Sequence, residues 1–294
     1  MNYYEKIKKE LINNEINRRI KNYSINKSDL STYYNVGKMI SDDGKHYGEN
    51  IIKQHSERLK IEVNKKYNIT LLKRIRQFYW LIEKGATLSH QLSWSHYVEL
   101  LPIKNINEVN YYINQICINN IDIRTLRIII KSKEYDRLDT ITKNKLINNQ
   151  KNNVMDFVKN PILIKNSYNY ENISEKILQK LIIEDIVSFM KELGEGFSFI
   201  DNEYKIKLDD RYNYIDLLLY NIKYKCYVVV ELKVTELKKE HTGQIMTYMN
   251  YIDKNIKTIE ENATVGIIIC KQDDEYVIKY CSDKRIIARK YELV

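Results

Sequence analysis

Chain breakers are scarce in this sequence: two prolines and eight glycines among 294 residues. That excludes collagen-like and Pro-rich architectures and favours long regular elements with short connections. No apolar run approaches the ~18 residues that suggest a membrane-spanning helix, and MNYYEKIKKELINNE at the N-terminus lacks the apolar stretch of a signal peptide. The four cysteines (Cys117, Cys226, Cys270, Cys281) show no C-x-x-C spacing, so no zinc site is visible and they read as free thiols in a reducing compartment. A G-x-x-x-x-G-K-[ST] phosphate loop is also missing; in SDDGKHYG (41–48), Gly44 and Gly48 read as a helix stop. The expectation is a soluble, cytoplasmic protein with no membrane partner.

What is present is charge, unevenly spread. Residues 1–150 carry 26 Lys and Arg against 16 Asp and Glu, a net of +10, whereas residues 151–294 are at −1. Such asymmetry points the first half at a polyanion, nucleic acid before membrane. The Asn- and Lys-rich stretch KNKLINNQKNN (143–153) has little to bury, which suggests a helical domain over 1–150 and a second domain over 151–294.

Helical periodicity marks residues 3–23 (Ile7, Leu11, Ile16, Ile20), a second helix closing at SDDGKHYG, and a third over 49–66 in which His55 reads as a packed histidine. In TLLKRIRQFYWLIEK (70–84), Leu72, Ile75, Tyr79 and Ile82 make the expected buried stripe, leaving Lys73, Arg74 and Gln77 outward and Arg76 at the margin. Followed by a short link and the helix SWSHYVELL, this fits a helix-turn-helix, or equally a solvated basic face. Two more helices fall in 107–138, the second carrying Arg124 and Arg127. Beyond the boundary the pattern is one helix over Leu178–Leu193, then strands at 197–200 and 203–208, a hairpin, a helix over Gln244–Asp253, and strands at 265–270, 275–280 and 285–293. That order is α/β around a mixed sheet.

The hairpin, NYIDLLLYNIKYKCYVVVELK (213–233), carries the chemistry. Two apolar runs of strand length flank a short polar interruption, yet Asp216, Glu231 and Lys233 lie within them. Unpaired charges in buried strands are costly. Glu231 and Lys233, two apart, share a face. A fold about Lys223 and Tyr224 sets Asp216 opposite Glu231, with Cβ atoms about 5 Å apart. Two converging carboxylates suit Mg²⁺ or Mn²⁺, and an adjacent lysine can position water or stabilise phosphate charge. A buried ion pair of Lys233 with Glu231 or Asp216 is the alternative. On the following helix, Gln244 and Tyr248 share a face.

Asp, then about fifteen residues, then Glu-x-Lys is the PD-(D/E)XK nuclease signature. Over nearly its whole length the chain resembles the YhcG-like PD-(D/E)XK family, on YGENIIKQHSERL, RIRQFYWL, QLSWSHYVELL, IRTLRIIIKSKEYDRL, MKELGEGFSFI, YIDLLLYNIKYKCYVVVELK, HTGQIMTYMNYID and NATVGIIIC in that order. The resemblance implies a restriction-endonuclease-like mixed sheet flanked by helices, preceded by an all-α domain of helix-turn-helix or winged-helix type that binds DNA or mediates assembly, including a homo-oligomer. It implies a Mg²⁺-dependent deoxyribonuclease in which Asp216, Glu231 and the main-chain carbonyl of Leu232 hold metal. Lys233 and Gln244 complete the catalytic set, with Tyr248 at its border. Lys73, Arg74, Arg76, Gln77 and Arg124 are the expected DNA contacts. Two departures stand out. Gln179 replaces an acid frequent in the family, for which Glu175 could substitute, and Asp201-Asn202-Glu203 replaces a Gly-Arg-Gln. They motivate an alternative, a catalytically weakened DNA-binding or adaptor protein of the same fold.

Overall fold

The computed structural model describes residues 3–20, 25–47, 50–274, 277–279 and 283–294. Two compact units are present, Met1–Tyr135 and Asp136–Val294.

Helices are the regular elements among the described residues of the first unit: α1 (Tyr3–Ile20), α2 (Ile25–Tyr47), α3 (Asn50–Glu62), α4 (Ile69–Glu83), α5 (Trp94–Leu100), α6 (Ile106–Asn119) and α7 (Ile123–Lys131). A winged helix needs a β-wing, and no strand is found among these residues. Helix α2 runs through Gly44 instead of stopping at SDDGKHYG, and Gly48 lies outside the described residues. The reason is tertiary: Asp43 Oδ2 meets His55 Nε2 of α3 at 2.6 Å, and Trp80 Nε1 of α4 donates to Ser41 Oγ at 2.9 Å. Helix α4 starts at an N-cap, Asn68, whose side chain accepts the Leu71 N–H. Its buried stripe is Leu72, Ile75, Phe78 and Leu81, not the expected Tyr79 and Ile82, which are only half-buried. Apolar residues surround this helix from Phe78 to Ile82, so packing decided between adjacent stripes. Ile16, an expected core position of α1, is largely exposed.

The second unit contains α8 (Thr140–Ile147), β1 (Ile162–Ile164), α9 (Glu175–Glu184), α10 (Ile186–Leu193), β2 (Phe197–Leu208), β3 (Arg211–Asn221), β4 (Cys226–Glu236), α11 (Lys239–Asn255), β5 (Val265–Gln272) and β6 (Ile286–Leu293). The six strands form one mixed sheet in the order β1-β6-β5-β4-β3-β2. β2, β3 and β4 are antiparallel neighbours, and β4, β5, β6 and β1 run parallel. One core gathers Leu217, Leu219, Val228, Val230 and Leu232 with Leu178, Leu181 and Phe189 of α9 and α10. The other gathers Leu218, Val229 and Ile268 with Ile245, Met249 and Ile252 of α11. Alternate residues of the strands thus feed opposite layers, the restriction-endonuclease-like arrangement expected.

Local differences from expectation have identifiable causes. The helix expected over 178–193 breaks at Asp185, which caps α10 by accepting the Ser188 N–H. The two short strands at 197–208 are one strand with a bulge between Phe199 and Asp201. Residues 277–279 are helical rather than extended, Ile278 N–H donating to the Asp274 carbonyl at 3.1 Å; residues 275, 276 and 280 lie outside the described residues. Within the 143–153 stretch, α8 is held by Lys145, whose ammonium contacts both oxygens of Asp156.

Gly37 marks the closest approach of α2 to α4. A Cβ there would lie 2.5 Å from the Ile75 carbonyl oxygen and 2.7 Å from Tyr79 Cβ, whereas at Gly44 the nearest atom would be 3.8 Å away. Gly37→Ala is therefore expected to destabilise the protein by about 1–3 kcal/mol, and Gly44→Ala to stabilise it by about 0.5–1 kcal/mol. Denaturant unfolding checks both, and equal effects would contradict the helix crossing.

Candidate active site

The β3–β4 hairpin sets the register on which the site depends. Its last ladder pair is Asn221↔Cys226, closed by a four-residue loop whose Lys225 has φ +48°. Buried Asn221 ties the loop down, its Oδ1 accepting the Tyr224 N–H and its Nδ2 donating to the Glu195 carbonyl. The ladder continues to Leu217↔Val230, so Asp216 and Glu231 are the next opposed pair. There the side chain takes over from the ladder: Leu232 N–H donates to Asp216 Oδ2 at 2.7 Å.

Glu231 is 1% exposed, and neither of its carboxylate oxygens has a hydrogen-bond partner. Its charge is met only by an ion pair, Lys233 Nζ lying 3.3 Å from Oε2. Burial, then the Asp216 charge, push the Glu231 carboxyl up to about 8. Burial also raises Asp216, against the opposing pull of the Leu232 N–H and of Lys233. Burial works against the Lys233 ammonium, but Glu231, Glu175 and Asp216 outweigh it and hold it charged.

Helix α9 reaches the same point from the other side. Gln179 Nε2 donates to the Asp216 carbonyl at 3.0 Å, so the residue standing where the family often has an acid fixes the backbone of the β3 carboxylate. Glu175, one turn earlier and half-exposed, lies 3.9 Å from Lys233 Nζ. On α11, Gln244 Nε2 donates to the buried Tyr248 hydroxyl at 3.1 Å. Burial raises the Tyr248 phenol, and the Glu231 and Asp216 charges add to it. Asn202 lies on β2 opposite Leu217, its N–H held by Asp201 Oδ1.

Two further ionisable neighbours lie beside the site. Glu203, at φ +51°, lies in β2 between the pairs Asn202↔Leu217 and Tyr204↔Ile215, and its charge adds to the upward shift of Asp216. His241, which accepts the Lys238 N–H on Nδ1, is lowered by burial and then by Lys233. Glu203 could have been found by extending the strand register into β2, but the bulge at Phe199/Asp201 has no sequence mark. His241 carries no signal beyond its place in the first turn of α11.

Among the described residues no three His, Cys, Asp or Glu side chains gather as a metal-binding cluster. Asp216 and Glu231 nonetheless fit a hard divalent cation in chemistry: one half-buried and one buried carboxylate, the buried one without a hydrogen-bond partner among the described residues. The oxygen-only donor set disfavours zinc or copper.

In the first unit, Lys73, Arg74 and Gln77 are exposed on α4, while half-buried Arg76 stacks on Trp80 at 4.7 Å. Arg124 is exposed in the first turn of α7. Glu99 of α5 bonds Arg127 Nη2 at 2.7 Å and is lowered by that bond first, with Arg74 a weaker contributor. Ten residues separate α4 from α5, too many for the three- or four-residue turn of a helix-turn-helix. The tighter pair is α6 and α7, joined by Asn120–Asp122 with Asn120 at φ +48°.

Residues 155–294 match the family model of the YhcG PDDEXK nuclease domain, and residues 7–137 that of the DUF1016 N-terminal domain. The chain is 22% identical over 300 residues to "Putative nuclease YhcG" of Escherichia coli (strain K12), a match covering 85% of this chain and 78% of that protein. Two solved structures match 44% of this chain. One is a repair endonuclease from Pyrococcus abyssi (19% identity, 49% of that chain, TM-score 0.29) and the other an EndoMS–dsDNA2 complex (14% identity, 48% of that chain, TM-score 0.29). This chain thus spans about half the length of each.

Replacing Glu231 by glutamine is expected to stabilise the metal-free protein at neutral pH, by on the order of 2 kcal/mol. An unfolded glutamate ionises near 4.5 and the folded one near 8, so the folded state holds the proton more tightly. The resulting stability is full below about 4.5 and is lost as pH rises towards 8. Thermal melts of wild type and Glu231→Gln across that range should therefore diverge with rising pH. Parallel curves would show that Glu231 is not buried unsolvated.

Proposed function

Because this chain belongs to the YhcG-like PD-(D/E)XK nucleases, we propose that it is a Mg²⁺- or Mn²⁺-dependent deoxyribonuclease that hydrolyses phosphodiester bonds in the cytoplasm. The observation that carries this reading is Glu231: an ionisable carboxylate buried without a donor, facing a second carboxylate and a lysine. Burying this carboxylate costs stability even with Lys233 beside it, a cost that a protein which only bound DNA would have no reason to keep. The same point weighs against the catalytically weakened alternative.

In this reading Asp216, Glu231 and the Leu232 carbonyl hold the cation, which when bound supplies Lewis-acid polarisation of the phosphate and a more acidic water. The residues do the rest. Leu232 N–H and Gln179 hold Asp216 from its side chain and from its carbonyl. Lys233, kept protonated by the surrounding carboxylates, orients the attacking water and stabilises charge on the phosphate oxygens. Glu175 keeps the lysine in place from the solvent side. Gln244 and Tyr248 border the site from α11. DNA is drawn to the first unit, where Lys73, Arg74, Gln77 and Arg124 are exposed, with Arg76 at the margin. The buried Cys226 and Cys270 thiols, pushed up by burial to about 11 and about 12, are inert and suit a reducing compartment.

Asp216→Ala is expected to lower cleavage of supercoiled plasmid in Mg²⁺ or Mn²⁺ by on the order of 10³-fold or more, with circular dichroism unchanged. Cleavage at the wild-type rate, or cleavage by wild type that survives a chelator, would remove these residues from the chemistry. In the full chain, Lys73→Ala/Arg74→Ala should weaken duplex binding and lower the slope of log K against log[salt] by up to about 0.9 per lost phosphate contact. An unchanged slope would move the DNA-binding surface elsewhere.

A further inference from the structure

The ribbon formed by β2 and β3 carries a surface that the catalytic residues do not use. β2 is an edge strand that, among the described residues, pairs only with β3, and the two run on past Asp216 to the turn at Asp209 and Asp210. Along it, Lys205 pairs with Tyr214 and Lys207 with Tyr212. Directly paired residues share a face, and the period of two puts Tyr212 and Tyr214 on one face of the ribbon, opposite the buried Ile215. At about 3.3 Å per residue, the rings lie roughly 7 and 13 Å along the strand from Asp216.

Ile206 and Ile215 anchor the ribbon in the core beneath α11, but Tyr214 is 52% exposed and Tyr212 56% exposed. Lys205 Nζ stands 3.8 Å from the centre of the Tyr212 ring. Lys205 and Lys207 are exposed, and neither forms an ion pair among the described residues. Among the described residues of the ribbon, carboxylates flank the stripe at its ends: Glu203 at one, and Asp209 and Asp210 at the turn.

Lysines on an edge strand discourage unwanted strand pairing, and Lys–Tyr pairs stabilise a ribbon. Neither effect accounts for two half-exposed rings on the strand that carries Asp216. Alternating aromatic faces and cations are what a single strand of nucleic acid needs, because every unpaired base has a face to stack and every link a phosphate to neutralise. Bases inside an intact duplex are already stacked and cannot use the rings.

We propose that the β2–β3 ribbon binds the unpaired stretch of the DNA substrate. Bases stack on Tyr212 and Tyr214, phosphates follow Lys205 and Lys207, and the strand is led to Asp216. The substrate class is then DNA with a single-stranded segment beside the cleaved link, such as an overhang, flap or gap. This deepens the nuclease reading and rests on it.

The test uses the full-length protein and a single-stranded oligonucleotide carrying 2-aminopurine, with a blunt duplex of the same sequence, both in chelator so that nothing is cut. Wild type should quench the 2-aminopurine and bind the single strand. Tyr212→Leu/Tyr214→Leu should abolish the quenching and weaken single-strand binding about tenfold or more, leaving duplex binding within about twofold. Tyr212→Phe/Tyr214→Phe, which keeps the rings, should behave as wild type. Lys205→Ala/Lys207→Ala should lower the single-strand salt slope by up to about 0.7 per contact. Thermal melting verifies folding; if the double leucine variant unfolds, Tyr214→Leu alone and the lysine pair are read by the same criteria. Undiminished single-strand affinity, an equal loss on blunt duplex, or a loss of self-association in light scattering would overturn the proposal, the last by making the edge a contact with a second copy. Absence of metal-dependent cleavage by wild type would instead strike the nuclease reading and leave the binding result standing.

Discussion

The second unit is arranged around a carboxylate that its own core does not satisfy. Glu231 lies between Val230 and Leu232 in a strand sandwiched by two apolar layers, with no donor for either oxygen. What makes this tolerable is the company it keeps. Lys233 supplies charge on the same face of the strand, and a second carboxylate opposes it across the hairpin. Asp216 in turn is fixed at both ends, by the Leu232 N–H on its side chain and by Gln179 on its carbonyl. A cluster with two acids and one base is short of positive charge by its own composition, which is the electrostatic condition for holding a divalent cation.

The sheet makes that cluster possible because it changes character at this point. On one side β4 runs parallel to β5 under α11; on the other it pairs antiparallel with β3. The β3–β4 ladder stops at Leu217↔Val230, while β3 goes on with β2. Where the two strands part, backbone groups are released, and a side chain, Asp216, bonds one of them. Helices on opposite faces meet the gap, α9 with Gln179 and Glu175, α11 with Gln244 and Tyr248. The residues of the site therefore come from four separate elements held by two different cores.

Charge is divided between the units in a way that suits such a site. Residues 1–135 hold a net of +9 and residues 136–294 are neutral. An acidic reacting centre is a poor attractor of a phosphate chain, because neutralising phosphates supplies most sequence-independent affinity. In the proposed reading the exposed Lys73 and Arg74 of α4 provide that attraction; Arg76, spread over Trp80, serves packing as much as charge.

The sequence alone determined whatever depends on short-range alternation. Apolar runs at 214–220 and 226–232 define two strands, and because a slip of one residue would turn every apolar side chain outward, they also define the register that opposes Asp216 to Glu231. The same period puts Lys233 beside Glu231, so the core of the candidate site was legible without coordinates. What lay beyond reach was set by contacts distant in the chain. Gln179, 37 residues before Asp216, looked like a lost acid, and only the packing of α9 makes it a bond to the strand. Helix α2 passes through Gly44 because Asp43 meets His55 and Gly37 lets α4 approach. Phe78 and Leu81 displaced Tyr79 and Ile82 from the core because a helix apolar on several sides offers more than one stripe, and only its neighbours choose. Local pattern fixes what a segment wants to bury; which partner it meets, and hence which polar groups are left to do chemistry, is decided by the tertiary fold.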